Sequence, residues 1–250
     1  MNIGIIMNNY KLQIQYDGTN YAGWQTQTNA ISVQQKIVDA IEVIIKEKVN
    51  LIGSGRTDAG VHALGQVANF RTEKEIDTYK FSYSLNSILP NDIAVKSVEK
   101  ADESFHARFD AESRSYIYLI AKGKSPFYNS YSYHYPQIAK IDFKKLNELS
   151  NVLIGAYDFT SFSKKNTEIE NKFCEVSKIW WREGKDLSTF YITANRFLHG
   201  MVRTIVGTLL NAVKMENGKN YLHDILEKKN REEAYESVPA KGLFLFKVRY

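Results

Sequence analysis

The spacing of apolar and polar residues changes several times along the first half of the chain and predicts alternating strands and helices. Residues 10–16 alternate apolar and polar side chains, as in a half-buried strand. Ser32 and Gln35 form a capping-box pattern ahead of a helix, and Pro90 stops a second helix. The predicted elements, in order, are a strand at 10–16, a helix from Ser32 to about Lys48, strands at 49–53 and 65–71, a helix from Phe81 to Ile88 and a strand at 92–99.

The second half repeats this order with one additional helix. Its predicted elements are a strand from Arg114, a helix at 142–153, a hairpin of strands from Cys174 and Leu187, helices at 197–214 and 221–229, and a last strand from Leu243. Two β-α-β-β-α-β halves predict an α+β fold of ferredoxin-like units with joined antiparallel sheets. We predict an N-terminal half at 1–106 and a C-terminal half at 107–250.

Residues 53–70, GSGRTDAGVHALGQVANF, interrupt the periodic pattern with four glycines around an arginine and an aspartate. Glycine permits positive φ and close backbone approach, and such turns often present catalytic side chains. Asp58 is therefore a candidate functional carboxylate. By itself this pattern is more typical of a surface turn in which Asp58 hydrogen-bonds its own backbone.

Composition narrows the classes of partner and site. The 250 residues carry a net charge of +5, which favours a polyanionic partner. Cys174 is the only cysteine, so a disulfide framework is excluded and a reducing compartment is favoured. The five histidines show no paired metal-ligand spacing, and no apolar run is long enough to span a bilayer.

Six blocks of sequence in collinear order carry a resemblance to a known family. They are YDGTNYAGWQTQ from Tyr16, GRTDAGVHALGQVANF from Gly55, FHARFDAESRSYIY from Phe105, DFTSF from Asp158, ANRFLHGMVRTIVGTLL from Ala194 and GLFLFKVRY from Gly242. The chain resembles the TruA family of tRNA pseudouridine synthases from Tyr10 to Tyr250. The resemblance implies the pseudouridine synthase fold and an isomerase that converts uridine to pseudouridine.

The resemblance also implies a role for five residues. Asp58 matches the catalytic aspartate, acting either as a nucleophile on the sugar or as a base on its 2′ proton. Tyr116 matches the tyrosine that stacks on the target base, and Arg203 matches an arginine paired with Asp58. Arg56 is expected to contact RNA phosphate, and Leu245 to pack against the flipped uracil. From the residues alone, each of the last four could equally be a core or solvated side chain.

The family resemblance further implies no cofactor, no metal, a cytoplasmic homodimer, and a tRNA substrate modified at positions 38, 39 and 40 of the anticodon stem-loop. The lysines between 164 and 178, with Arg182, are candidates to follow an RNA backbone or to form a solvated face. Two other functions stay open at this point. One is an RNA chaperone with weak or dispensable catalysis, and the other is the same chemistry on a different RNA.

Overall fold

A computed structural model describes residues 7–165 and 170–250 of the chain. Part of the segment between Lys164 and Lys178, whose lysines are candidates to contact RNA, lies outside these residues. The strands of the described part are β1 (Asn8–Tyr16), β2 (Ile52–Gly53), β3 (His62–Thr72), β4 (Ile93–Ala101), β5 (Ser113–Ala121), β6 (Tyr133–His134), β7 (Gly155–Asp158), β8 (Phe173–Arg182), β9 (Leu187–Ala194) and β10 (Leu243–Arg249). The α-helices are α1 (Val33–Ile45), α2 (Thr78–Ile88), α3 (Phe143–Ser150), α4 (Met201–Ala212) and α5 (Gly218–Lys228). This mixed, largely antiparallel arrangement confirms the predicted α+β class.

The first compact unit contains the described residues up to Glu112 together with Leu245–Tyr250. In it β1 pairs antiparallel with both β3 and β4, and β2 pairs with β3. The alternation of β1 buries Leu12 and Ile14 on one face, as its period of two requires. The ring of Phe81 on α2 lies 5.9 Å from the ring of Phe70 on β3, so this helix packs on the sheet. The first half therefore has the predicted β-α-β-β-α-β order.

The second compact unit spans Ser113–Phe244. Its antiparallel strands run in the order β5-β9-β8-β7, and β6 adds a short parallel pairing to β5. The rings of Trp181 and Phe190, on β8 and β9, lie 4.7 Å apart in its core. Most of α4 is buried, which agrees with the strongly apolar sequence from which this helix was predicted. The predicted division of the chain at residues 106 and 107 stays a prediction.

Two helix ends differ from their predicted positions because of local backbone geometry. The first helix ends at Ile45 rather than near Lys48, because Lys46 adopts a left-handed conformation with φ of 55° and caps it. The fourth begins at Met201 rather than at 197, because Gly200 has φ of +76°. Gly200 therefore lies ahead of the first turn of the helix.

Two strands were not predicted from the sequence. The Tyr133–His134 strand has two residues and Gly155–Asp158 has four, so neither is long enough to show alternation. Tertiary pairing with β5 and β8 forms them. In the described part of the chain, no helix is long and apolar enough to cross a membrane. Within the same residues, no three His, Cys, Asp or Glu side chains gather as a metal site would require.

Candidate active site

The turn that contains Asp58 leaves β2 and enters β3, and its first residues are tied to β3 by a buried glutamine. Gln66 is fully buried and accepts a hydrogen bond of 2.6 Å from the Ser54 hydroxyl. Its amide nitrogen donates to the Gly55 carbonyl at 3.0 Å, and the Ser54 N–H donates to the Val67 carbonyl at 2.7 Å. The segment ahead of Asp58 is thus held without regular sheet pairing.

A second loop, residues 17–24, follows β1 and is hydrogen-bonded to the turn at residues 57–62 from the other side. The Tyr16 and Thr57 hydroxyls are hydrogen-bonded at 2.8 Å in the protein interior, and the Trp24 N–H donates to the Thr57 carbonyl at 3.1 Å. The Gly60 N–H donates to the Tyr21 carbonyl at 3.4 Å. The backbone is therefore fixed on both sides of Asp58, and a fixed backbone preorganises the side chain that it carries.

His62 closes the far end of the 57–62 turn against the 17–24 loop. Its side chain is 1% exposed, and its Nδ1 lies 3.0 Å from the Asp17 carboxylate. The same nitrogen lies 3.1 Å from the Gly18 N–H, which donates to it when Nδ1 carries no proton. Asp17 also accepts hydrogen bonds from the N–H and hydroxyl of Thr19. A buried network of this kind fixes the relative position of two loops.

Two glycines make this close approach of the loops possible. A Cβ atom on Gly18 would lie 2.0 Å from the Val61 carbonyl oxygen, and one on Gly23 would lie 2.4 Å from the Thr57 carbonyl oxygen. Gly23 also has φ of +100°, which favours glycine. In the 57–62 turn itself, Gly60 has φ of +74°. The glycines of the 17–24 loop therefore leave room for the backbone of the neighbouring 57–62 turn. The sequence does not show this relation.

Asp58 and Arg56 lie in this turn with different exposure. Asp58 is partly buried, and its carbonyl accepts a hydrogen bond of 3.1 Å from the Val61 N–H. Arg56 is exposed, and its Nε donates to Gln25 at 3.1 Å. Gln25 in turn donates to Gln34 at 2.8 Å. Gln25 is thereby held in place, and it orients the Arg56 guanidinium from outside the turn. An exposed, oriented guanidinium is suited to a phosphate contact.

Tyr116 and Tyr118 lie on one face of β5 in the second unit, as their spacing predicted. Tyr116 is 8% exposed, and its ring meets the ring of Phe197 edge-on at 5.1 Å. Tyr118 is completely buried, and its hydroxyl donates to the Pro239 carbonyl at 2.8 Å. Burial raises the pKa of the Tyr118 hydroxyl, and the charge of Arg203 partly opposes this effect. Tyr118 is thus a packed side chain, while Tyr116 retains a small exposed fraction.

Arg203 lies in the first turn of α4 and is only partly buried. Its Nε donates a hydrogen bond of 2.7 Å to the Val238 carbonyl. This bond fixes the Nε end of the guanidinium against the segment that contains Val238. Arg203 and Tyr116 belong to the second unit, whereas Asp58 and Arg56 belong to the first. The predicted pairing of Arg203 with Asp58 stays a prediction.

Leu245 is fully buried in the described structure. A contact with a flipped base therefore stays a prediction. Sequence reasoning missed the hydrogen-bonding partners of the 57–62 turn, which are Tyr16, Gly18, Tyr21 and Trp24, and found no role for His62. Several of these residues fall in the YDGTNYAGW and RTDAGVH blocks. The many turn residues of these two motifs were the sequence signal that could have indicated two loops in contact.

Known proteins are similar to this chain over nearly its whole length. A family model described as tRNA pseudouridine synthase matches residues 13–110 and 150–250. The tRNA pseudouridine synthase A of Caldicellulosiruptor saccharolyticus is 43% identical over 246 residues, which cover 98% of this chain and 100% of that protein. The protein of the same name from Brachyspira hyodysenteriae is 42% identical over 241 residues, covering 95% and 96%.

The chain belongs to the tRNA pseudouridine synthase family. It is accordingly an isomerase that acts on uridine in RNA. The resemblance read from six sequence blocks is confirmed, and the match to the relatives extends over almost the whole chain.

Proposed function

We propose that this chain converts uridines 38, 39 and 40 in the anticodon stem-loop of tRNA to pseudouridine, with Asp58 as its catalytic residue. The observation that supports this most strongly is the 57–62 turn, which is held on both sides by hydrogen bonds and carries a partly buried carboxylate. A carboxylate whose backbone is fixed in advance is suited to a reaction that needs close alignment with a ribose.

The isomerisation breaks the bond between N1 of uracil and C1′ of ribose and forms a bond between C5 and C1′. Two routes use the Asp58 carboxylate. In the first it attacks the sugar and forms a covalent intermediate, and in the second it accepts the 2′ proton to give a glycal. In both routes uracil turns while detached, and the proton on C5 is lost after the new bond forms. The detached base must be retained, so the site has to exclude water.

Four other residues have proposed roles around Asp58. Tyr116 stacks on the target base, and Leu245 supplies an apolar contact to the same base. Arg203 pairs with the Asp58 carboxylate and holds it in position for the ribose. Arg56, oriented by Gln25, contacts a phosphate of the everted nucleotide.

The decisive experiment is the Asp58→Asn variant on an unmodified tRNA transcript that carries tritium at C5 of its uridines. Wild-type protein is expected to release tritium from positions 38, 39 and 40, because C5 exchanges its hydrogen for carbon. Asp58→Asn is expected to release none while its affinity for the tRNA changes less than about threefold, since the shape of the side chain is kept. Asp224→Asn, an exposed carboxylate on α5, is the matched control.

Pseudouridine made by Asp58→Asn would contradict the catalytic assignment. Tritium release from other positions, or from ribosomal RNA in preference to tRNA, would contradict the proposed substrate and leave the chemistry intact. Wild-type protein that refolds tRNA without releasing tritium would instead favour the RNA chaperone function.

We further propose that the active form is a cytoplasmic homodimer in which one subunit holds the tRNA body while the other modifies it. A single buried cysteine is compatible with a reducing compartment. Sedimentation of the free protein and of its complex with tRNA tests the stoichiometry. A complex of one chain with one tRNA that retains full activity would contradict the dimer.

A further inference from the structure

Residues 122–141 form a segment whose composition differs from the rest of the chain. It contains three lysines, one phenylalanine and four tyrosines but no aspartate or glutamate. We refer to it as the aromatic–lysine segment. The mechanism proposed above uses none of its residues.

The aromatic–lysine segment presents its rings to solvent although its backbone is fixed. Phe127, Tyr128 and Tyr131 are 83%, 38% and 41% exposed. The backbone is held by the pairing of β6 with β5. The Tyr135 N–H donates to the Ala121 carbonyl at 3.0 Å, and the Ser132 hydroxyl donates to the Tyr128 carbonyl at 2.7 Å. Single exposed rings are common on protein surfaces, whereas three exposed rings within five residues of chain form a cluster of the kind that marks an interaction surface.

A second pair of rings in the segment is already stacked. Tyr133 and Tyr135 lie 5.4 Å apart with an angle of 19° between their planes. The Lys214 ammonium, from the end of α4, lies 5.6 Å from the centre of the Tyr135 ring. Burial and neighbouring tyrosines raise the pKa of the Tyr133 hydroxyl, so this group stays a neutral hydrogen-bond donor. Stacked rings with a cation over one face show the aromatic and cationic contacts that single-stranded nucleic acids also make with their binding proteins.

The cations of the segment favour an anionic partner. Lys124 and Lys140 are exposed and form no ion pair with any residue in the described part of the chain, whereas Lys122 is paired with Glu183. Beside Lys124 lies a concave site of about 170 Å³, lined also by Tyr128, Asn129 and His134. Its volume is below the roughly 300 Å³ of small-molecule pockets. It has room for one phosphate or sugar of a polymer rather than for a separate metabolite.

We propose that the aromatic–lysine segment is a second RNA-contact surface, on which unpaired nucleotides of the substrate stack while Lys124 contacts their backbone. This inference rests on the proposed function only in taking RNA as the partner. A second copy of the chain fits the surface less well, because protein interfaces are depleted in lysine at their centre.

The test compares the affinity of Phe127 variants for an unmodified tRNA transcript, all in the Asp58→Asn chain so that no conversion takes place. Phe127→Leu keeps an apolar side chain but removes the aromatic face, and it is expected to weaken binding at least about fivefold. Phe127→Tyr restores the ring and is expected to restore the affinity. Tyr79→Leu is the matched control, because Tyr79 lies on α2 and is also 83% exposed.

Salt dependence separates the ring from the lysine. Phe127→Leu is expected to leave the slope of log affinity against log salt unchanged. Lys124→Gln is expected to reduce that slope by about 0.7, the value for one contact with a single-stranded phosphate. In chains with Asp58 intact, Phe127→Leu should raise KM for tRNA and leave kcat unchanged.

Two results would overturn the proposal. One is an affinity of Phe127→Leu within twofold of its parent. The other is a loss of affinity that accompanies conversion of a dimer to a monomer in sedimentation, which would assign the surface to a protein interface. Failure of the proposed anticodon-arm reaction is distinguishable from both, because binding is measured directly and without chemistry.

Discussion

The Tyr16 hydroxyl contacts Thr57, the residue next to Asp58, from a strand more than forty positions away in the chain. Tyr16→Phe removes this bond and leaves the buried Thr57 hydroxyl without it. We expect kcat for pseudouridine formation to fall about tenfold with KM unchanged, and the free energy of unfolding to fall by about 1 kcal/mol. Tritium-release kinetics and denaturant titration measure the two quantities.

Tyr10→Phe is the control for this substitution. Tyr10 is also a buried tyrosine of β1, but its hydroxyl accepts from the Ile76 N–H at 2.8 Å instead of contacting the 57–62 turn. It should lower stability to a similar degree while kcat stays near wild type. Equal losses of kcat in both variants would show that Tyr16 acts only through stability.

Cys174 illustrates how burial alters a single group. Burial raises the pKa of its thiol from 9.0 to about 11, the charge of Arg196 opposes this, and Asp158 adds to it. We expect the native protein to resist alkylation by iodoacetamide at pH 8, since the thiolate is the reactive form, and the unfolded protein to react readily. Modification that is equally fast in both states would contradict the buried placement.

The same shift predicts a dependence of stability on pH. An unfolded thiol loses its proton near pH 9, whereas the folded protein retains the proton until about pH 11. The stabilisation is therefore complete below pH 9 and is lost as the pH rises toward 11. Cys174→Ala should remove this component, so the difference in free energy of unfolding between the two proteins should shrink across that interval.

At the scale of elements, the approach of the 17–24 loop to the 57–62 turn depends on glycine. Gly18→Ala would place a Cβ atom 2.0 Å from the Val61 carbonyl oxygen, and backbone cannot move aside as a flexible side chain can. We expect Gly18→Ala to lower kcat at least tenfold and to lower the melting temperature. Activity and thermal unfolding are both measured.

Gly55→Ala is the matched substitution, because a Cβ atom there would meet nothing within 4 Å and the φ of Gly55 is not positive. Its melting temperature is expected to stay within about 2 °C of wild type. A loss of stability as large as that of Gly18→Ala would show that both glycines act through backbone freedom rather than through contact between the loops.

The elements show which sequence signals are reliable. The capping box predicted the start of α1, and the Ser32 hydroxyl does accept from the Gln35 N–H at 3.2 Å. The end of α1 was misplaced because any residue can adopt the left-handed conformation that Lys46 takes, at a modest cost. The Tyr133–His134 and Gly155–Asp158 strands escaped prediction because pairing partners, rather than their own sequences, hold them extended.

For the whole molecule, a net charge of +5 predicts electrostatic binding to tRNA. Log affinity should fall linearly with log salt, with a slope of about 0.9 for each duplex phosphate contacted. Filter binding between 50 and 300 mM salt measures this slope. A flat response would contradict any model in which the protein grips the RNA backbone.

The sequence alone determined the fold class, the order of most elements and the family. These depend on periodic burial and on motifs whose residues are neighbours in the chain, such as the RTDAGVH block around Asp58. It also pointed to Asp58 through the glycine-rich turn that carries it. Arg56, Tyr116, Arg203 and Leu245 were selected through resemblance, because each also has an ordinary role by itself.

The tertiary structure alone decided what holds the 57–62 turn in place. Tyr16, Gly18 and Trp24 reach this turn from β1 and from the 17–24 loop, and Gln66 of β3 holds the residues just ahead of it. It also decided that the rings of Phe127 and Tyr131 face solvent, since an aromatic residue in a sequence is equally compatible with a core. Hydrogen bonds and burial between distant segments depend on how the chain returns on itself, and no local pattern of residues encodes that.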